Sequence, residues 1–275
     1  MVNFMKQNYP PNFTYQDFGS QLTMELFDPN QWADIVLKSG AKYLVFTSKH
    51  HDGYANFNSS YSFGWNAMSV GANRNVLKEL KDAFKAKDPD FHFGLYYSLF
   101  EWFHPLYLKD KSQDFATREF VLNKIHPEMK ELAALIEPHV WWSDGDWEST
   151  PEYWGSTDFL AWLFNDSPAK DLVVTNDRWG RGVGQKHGSF FSGPDKWQPG
   201  HLIEHKWEDA MTLDQKSWGI RRNLRLEDVM RMEELLSQVV ITVSCGGNIL
   251  INVGPTKQGT IIPIFEERLT QLVTY

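Results

Sequence analysis

The stretch Val140-Trp-Trp-Ser-Asp-Gly-Asp-Trp-Glu148 decides how this chain is read. Its first four residues, Val140–Ser143, form a short apolar run of the kind found in strands covered on both faces. The run ends in three carboxylates, Asp144, Asp146 and Glu148, interleaved with Trp141, Trp142 and Trp147. Carboxylates among aromatic rings at a strand end suit chemistry on a sugar. One carboxylate attacks or stabilises the anomeric carbon, and ring faces hold the apolar side of a pyranose. A strand running out into a solvated acidic loop has the same local pattern, so the rest of the chain has to discriminate.

Outward from this stretch, strand and helix alternate. Asp28-Pro29 opens a helix, with Asp as N-cap and Pro at the first helical position, and the helix stops before Gly40. A strand over 42–47, a helix over 76–86 and a strand over 91–97 follow. Residues 115–137 read as mostly helical, with Pro127 marking a break. After the strand at 140 come a helix over 157–164, a strand over 172–175, and two weaker strand candidates at 188–191 and 202–206. A helix over 226–243, a strand over 248–253 and a helix over 262–272 close the chain. Near-continuous apolar strands alternating with helices imply a parallel sheet covered by helices. A doubly wound dinucleotide binder requires Gly-x-Gly-x-x-Gly after an early strand, and no strand here has one. Polar residues instead gather at nearly every strand end, as in a (β/α)8 barrel, whose sites are assembled from many strand ends. Six or seven strands are counted rather than eight, and none precedes the helix at Asp28, so the expected fold is an α/β barrel lacking its first strand. No linker, repeat or second-domain boundary interrupts residues 1–275.

Bulk properties narrow the partners. A formal charge of −8 argues against nucleic acid, and no apolar run reaches the length of a membrane span. The single cysteine, Cys245, excludes an intramolecular disulfide framework and reads as a core residue beside Gly246-Gly247. Sequons stand at Asn12, Asn58 and Asn165, the last a poor acceptor because Pro168 follows it. No charged-then-apolar leader follows Met1, so no signal peptide is visible.

Several residue groups are able to carry chemistry. His50 and His51 close the first visible strand; as neighbours in extended chain they point to opposite faces, which disfavours a shared metal and favours hydrogen bonding to a polar ligand, or simply one buried and one exposed ring. Arg178, in Asn176-Asp-Arg-Trp179, either orients a carboxylate and hydroxyls through its fork of donors or pairs with Asp177. A retaining glycosidase needs two carboxylates about 5–5.5 Å apart, one ionised and one able to hold a proton. Asp195 and Glu208 are the two candidates to partner Asp144. Lys206 near Glu208 favours its ionised form, a poor setting for an acid, whereas Asp195 lies in a loop able to swing toward a leaving group.

The ordered set Lys49-His-His-Asp-Gly53, Gly94-Leu-Tyr-Tyr-Ser98, Glu101-Trp-Phe-His-Pro105, Trp142-Ser-Asp-Gly-Asp-Trp147, Asn176-Asp-Arg-Trp179, His205-Lys-Trp-Glu208, Ser217-Trp-Gly-Ile-Arg-Arg222 and Asn252-Val-Gly-Pro255 resembles the animal α-L-fucosidases of glycoside hydrolase family 29. The resemblance covers essentially the whole chain. It implies a (β/α)8-like catalytic domain that removes terminal α-L-fucose from glycoproteins and glycolipids by an exo-acting, retaining double displacement, without cofactor or metal. By position it implies Asp144 as nucleophile and Asp195 as acid/base, with Glu208 as the fallback, and treats Asp146 and Glu148 as bystanders. His50, His51, Trp142, Arg178 and Trp218 are expected to bind the sugar, with a strand-end tyrosine of the Tyr96-Tyr97 pair, taken as Tyr97. The implied partners are fucosylated glycans, with a homo-oligomer also compatible, and the implied compartment is the lysosome or the cell exterior.

Two departures accompany the resemblance. The family's first barrel strand, which ends in His-Trp-Gly, and its C-terminal β-sandwich domain have no counterpart in residues 1–275. The expectation is therefore an incomplete catalytic domain, with a fucose-binding remnant as the alternative to an active enzyme.

Overall fold

Val140–Asp144 is a strand buried along its whole length and paired in parallel on both sides. It lies in a four-stranded sheet formed by β1 (Tyr43–Lys49), β2 (His92–Ser98), β3 (Val140–Asp144) and β4 (Val174–Thr175), in that order. The coordinates are a computed structural model describing residues 2–274, so the outer limits Met1 and Tyr275 of the expected domain lie outside the described residues. A second parallel pair joins β5 (Glu208–Thr212) to β6 (Asn248–Asn252). The segment at 189–191 links the two sheets: Ser189 N–H donates to Thr175 O at 2.7 Å, and Glu208 N–H donates to Phe191 O at 2.7 Å. The connections carry helices α1 (Val2–Asn8), α2 (Pro29–Lys38), α3 (Val76–Lys87), α4 (Pro105–Ser112), α5 (His126–Ile136), α6 (Pro151–Trp154), α7 (Ser156–Asn165), α8 (Met232–Ser244) and α9 (Pro263–Gln271). None of the described helices is long and apolar enough to cross a membrane.

Local chemistry accounts for the best-read elements. Asp28 caps α2 by accepting from Asn30 N at 2.8 Å and Gln31 N at 3.3 Å, with Pro29 at the first helical position. The 115–137 stretch is helical from about residue 119, and the expected break at Pro127 is replaced by a π-helical turn at Val121–Ile125, which widens the backbone just before the proline. The strand expected at 202–206 is shifted: His205 and Lys206 are exposed and the strand is Glu208–Thr212. Two acidic residues, Glu208 and Asp209, are buried in that strand, so an apolar pattern cannot find it.

Strand alternation sorts the side chains into two sets. Tyr97 and Trp141 face the helices, where Trp141 meets Phe159 of α7 at 5.1 Å. Tyr96 and Trp142 face the other way and stack with ring centroids 5.8 Å apart. A register shift between Thr47 and Lys49 turns Lys49 to the helix side, where it is buried and paired with Glu101 at 2.8 Å. β1 and β6 do not pair with each other. A cavity of about 930 Å³ runs between them, lined by Tyr43, Val45, Ile249 and Ile251, and reaches the strands' C-terminal ends at His50 and Asp144.

Candidate active site

Asp144 is the last residue of β3 and lines the large cavity, almost fully buried. Its two oxygens are held separately. Tyr96 Oη donates to Oδ2 at 2.6 Å, and Arg178 Nη1 donates to Oδ1 at 3.1 Å. The Tyr96 hydroxyl is kept protonated because burial, reinforced by the Asp144 charge, pushes it well above the ordinary tyrosine range. Register explains the contact: Ser98 pairs with Asp144, and Tyr96, two residues earlier on β2, projects to the same face.

Arg178 reaches the site from the turn after β4. Nη2 donates to Asp195 Oδ1 at 2.7 Å and to Gly193 O at 2.9 Å, and the guanidinium covers the Trp142 ring at 4.7 Å. Asp144 and Asp195 therefore occupy the two terminal nitrogens of one planar fork, the geometry that distinguishes arginine from lysine. Arg178 does not pair with Asp177, whose carboxylate instead accepts from the backbones of Gln185 and Ser192 at 2.9 Å each and anchors that loop. Asp195 is half exposed at the cavity mouth, while Asp144 lies deep.

His50 and His51 both line this cavity, with ring centroids 4.0 Å apart. The expectation that they point apart fails because β1 ends at Lys49 and the chain turns, Gly53 N–H closing onto His50 O at 3.0 Å. The His50 ring stacks on Tyr96 at 5.4 Å, continuing the Tyr96–Trp142 wall. His51 is neutral: burial first, then the neighbouring His50 and Lys49, lower its pKa to about 3. Ser98 donates its hydroxyl to Phe100 O at 2.8 Å and so accepts from His51 Nδ1–H at 2.7 Å. His51 Nε2 is then a bare acceptor, 3.7 Å from Asp144 Oδ2. The bare Nε2 leaves an acceptor open to a ligand hydroxyl beside Asp144. Among the described residues no three His, Cys, Asp or Glu side chains converge as a metal-ligand set.

Several expectations need correction. Tyr97 does not line the cavity; it is fully buried on the helix side, donating to Glu128 at 2.6 Å, and Tyr96 takes the cavity position. Lys206 is exposed and does not set the ionisation of Glu208. Burial raises the pKa of Glu208, against hydrogen bonds from Tyr43, Trp142 and Asn248 and the Arg178 charge, which lower it. It stands at the start of β5, bonded to Tyr43 at the start of β1 and Asn248 at the start of β6, so it braces the end of the strands opposite Asp144. Glu148 is tied to Tyr107 at 2.5 Å and Lys111 at 2.6 Å. Burial, reinforced by the Asp144 charge, pushes the Asp146 carboxyl up to about 6. Trp142 and Trp218 both line the cavity.

The α-L-fucosidase family profile matches residues 1–275. Human plasma α-L-fucosidase is 54% identical over 271 residues, 98% of this chain and 58% of that protein. Human tissue α-L-fucosidase is 50% identical over 97% of this chain and 57% of its own length. Among solved structures, Thermotoga maritima α-fucosidase superposes with a TM-score of 0.83 at 32% identity, covering 100% of this chain and 62% of that one. The chain thus spans a little under three fifths of the curated relatives it matches.

Proposed function

The chain belongs to the α-L-fucosidase family, and on that footing we propose that its site removes terminal α-L-fucose from glycans with retention of anomeric configuration. One observation carries the reading: a buried strand-end carboxylate, Asp144, is fixed by Tyr96 and Arg178, and the same arginine holds a second, mouth-facing carboxylate, Asp195.

In this reading the sugar enters the cavity with a hydroxyl donating to the bare Nε2 of His51, and with its apolar face and methyl group against the Trp142 and Trp218 side. Tyr96 and Arg178 aim the Asp144 carboxylate at the anomeric carbon. Asp144 forms a bond to that carbon as the glycosidic C–O bond breaks. Asp195, freed from Arg178 by movement of its loop, delivers its proton to the departing oxygen. Asp195 then takes a proton from water, which displaces Asp144 from the anomeric carbon. Two inversions give net retention. The depth difference supports the division of roles, because the attacking group belongs beside the sugar and the proton donor beside the leaving group. Glu208, at the opposite strand ends, is placed for bracing instead. No cofactor enters the scheme.

We also propose that the seven parallel segments from β1 to β6, counting 189–191, form most of a (β/α)8-type wall over the single catalytic unit 1–275. The strand-end location of the site and the cavity lined by both free edges support this. Its substrates are fucosylated glycans of lysosomal or secreted settings, in keeping with the plasma and tissue relatives. Proton NMR of an aryl α-L-fucoside with the purified chain tests the reaction: the α-anomer of fucose appears first if configuration is retained, and appearance of the β-anomer first overturns the retaining mechanism.

A further inference from the structure

A second cavity, of about 450 Å³, lies across the Glu101–Phe103 turn from the site just described. Its floor holds Glu101 and Lys124, both nearly fully buried. Lys124 spends its donors on Glu128 at 2.6 Å, Ser62 Oγ at 2.6 Å and Glu101 Oε1 at 3.3 Å. Lys49 takes the same Glu101 oxygen at 2.8 Å. Glu101 Oε2 has no hydrogen-bond partner among the described residues, although its side chain is only 5% exposed. Gly53, at φ +80°, keeps that oxygen uncovered: a Cβ there would stand 2.7 Å from it. His104 supplies a donor. Its Nδ1 accepts from Leu106 N–H at 3.2 Å, so in the neutral ring favoured by burial the proton sits on Nε2, which has no hydrogen-bond partner among the described residues.

The rim is aromatic. Tyr61, Phe63 and Phe103 line the cavity and are exposed, Phe63 almost completely at 99%. Trp102, also exposed, lies between the two cavities: its ring is 5.8 Å from His51 and 6.1 Å from Phe103. Clustered exposed rings mark recognition surfaces, and a cavity of this size is in the range of ligand sites.

We propose that this second cavity binds a neutral pyranose of the glycan beyond the cleaved fucose, with the linkage running over Trp102. The proposal rests on the fucosidase reading and deepens it. Lys49 and Lys124 already engage Glu101 and Glu128, and Asp52 on the same lining accepts from the Tyr15 hydroxyl and Tyr54 N–H, so an anionic ligand is disfavoured and the open groups call for hydroxyls. A sugar hydroxyl that donates to Glu101 Oε2 and another that accepts from His104 Nε2–H satisfy both open groups, while the rim rings stack on the sugar's apolar face. Continuity of the aromatic surface from His51 through Trp102 to Phe103 ties the two cavities to one oligosaccharide.

The test compares the chain with Phe103→Ala and with the Phe63→Ala/Phe103→Ala double variant on two substrates, an aryl α-L-fucoside and a fucosylated trisaccharide. Saturation-transfer NMR with the fucose-free disaccharide runs alongside. Expected is a loss of about tenfold in kcat/KM for the trisaccharide, mostly through KM, with the aryl fucoside within about twofold. Saturation transfer to the disaccharide is expected in the parent and lost in the double variant. Equal losses on both substrates, or no transfer to the disaccharide in the parent, overturn the proposal. If the parent turns over neither fucoside, the proposed function fails, and the saturation-transfer result alone decides the cavity.

Discussion

Tyr96 donates its hydroxyl to Asp144 at 2.6 Å across adjoining strands, while the next residue, Tyr97, donates to Glu128 at 2.6 Å on the opposite face of the same strand. Two chemically identical side chains are thereby separated into a site residue and a core residue by the two-residue period of β2. Tyr96→Phe removes the donor that positions Asp144, and kcat for an aryl fucoside is expected to fall by about tenfold or more with the melting temperature little changed. Tyr97→Phe leaves buried Glu128 one donor short and is expected to cost about 1–3 kcal/mol of stability with near-normal activity per folded molecule. Parallel thermal melts and initial rates check the pair; the reverse assignment of effects would refute it.

Arg178 holds both carboxylates and covers Trp142. Lysine has charge but no fork, so Arg178→Lys is expected to lower kcat/KM by roughly 10²-fold, the scale of a misplaced reacting group. A variant with near-parental kcat/KM would show that the shared guanidinium does not matter.

Asp195 and Glu208 give opposite predictions. Asp195→Asn removes the proposed proton donor, so substrates with poor leaving groups should lose about 10²–10⁴-fold while those with activated aryl leaving groups lose far less. Glu208→Gln should leave the leaving-group dependence intact and lower thermal stability, because the amide disturbs the hydrogen bonds with Tyr43, Trp142 and Asn248. A steep leaving-group dependence appearing in the Glu208 variant instead would exchange the two roles.

Asp146 supplies a pH signature. Its folded pKa, raised to about 6 by burial, exceeds that of an unfolded aspartate, so between about pH 4 and 6 the folded state binds the proton more tightly. That differential stabilises the fold at low pH and is lost as pH rises through 6. Asp146→Asn is therefore expected to be neutral near pH 4 and stabilising by on the order of 1 kcal/mol at pH 7, after discounting for partial exposure. Denaturant melts at the two pH values check the sign; equal effects at both would remove the titration argument.

Much of this site was legible because its residues sit at strand ends. Val140–Asp144, the capped α2 and the motif around Arg178 can be read directly from apolar runs, an Asp-Pro start and polar strand termini. Other features depend on information that a linear pattern does not carry. The facing of Tyr96 against Tyr97 is set by register with β3, and a shift near Ser48 reverses the phase of β1 before His50. The convergence of His50 and His51 needs the turn that follows Lys49. A linear pattern misplaces β5 because Glu208 and Asp209 are buried acids, and Glu208 is satisfied by partners far away in sequence, Tyr43 among them. The partnership of Arg178 with two carboxylates rather than with adjacent Asp177 is likewise a contact between distant loops.

The central claim is that Asp144 attacks the sugar. Turnover of an aryl α-L-fucoside by the chain and by Asp144→Gly, with and without azide, tests it most directly. The account predicts turnover in the parent, near-complete loss in the variant, and partial recovery with azide giving a fucosyl azide of inverted configuration. Undiminished turnover in Asp144→Gly would contradict the assignment of Asp144, and a folded parent with no turnover would contradict the enzyme reading itself.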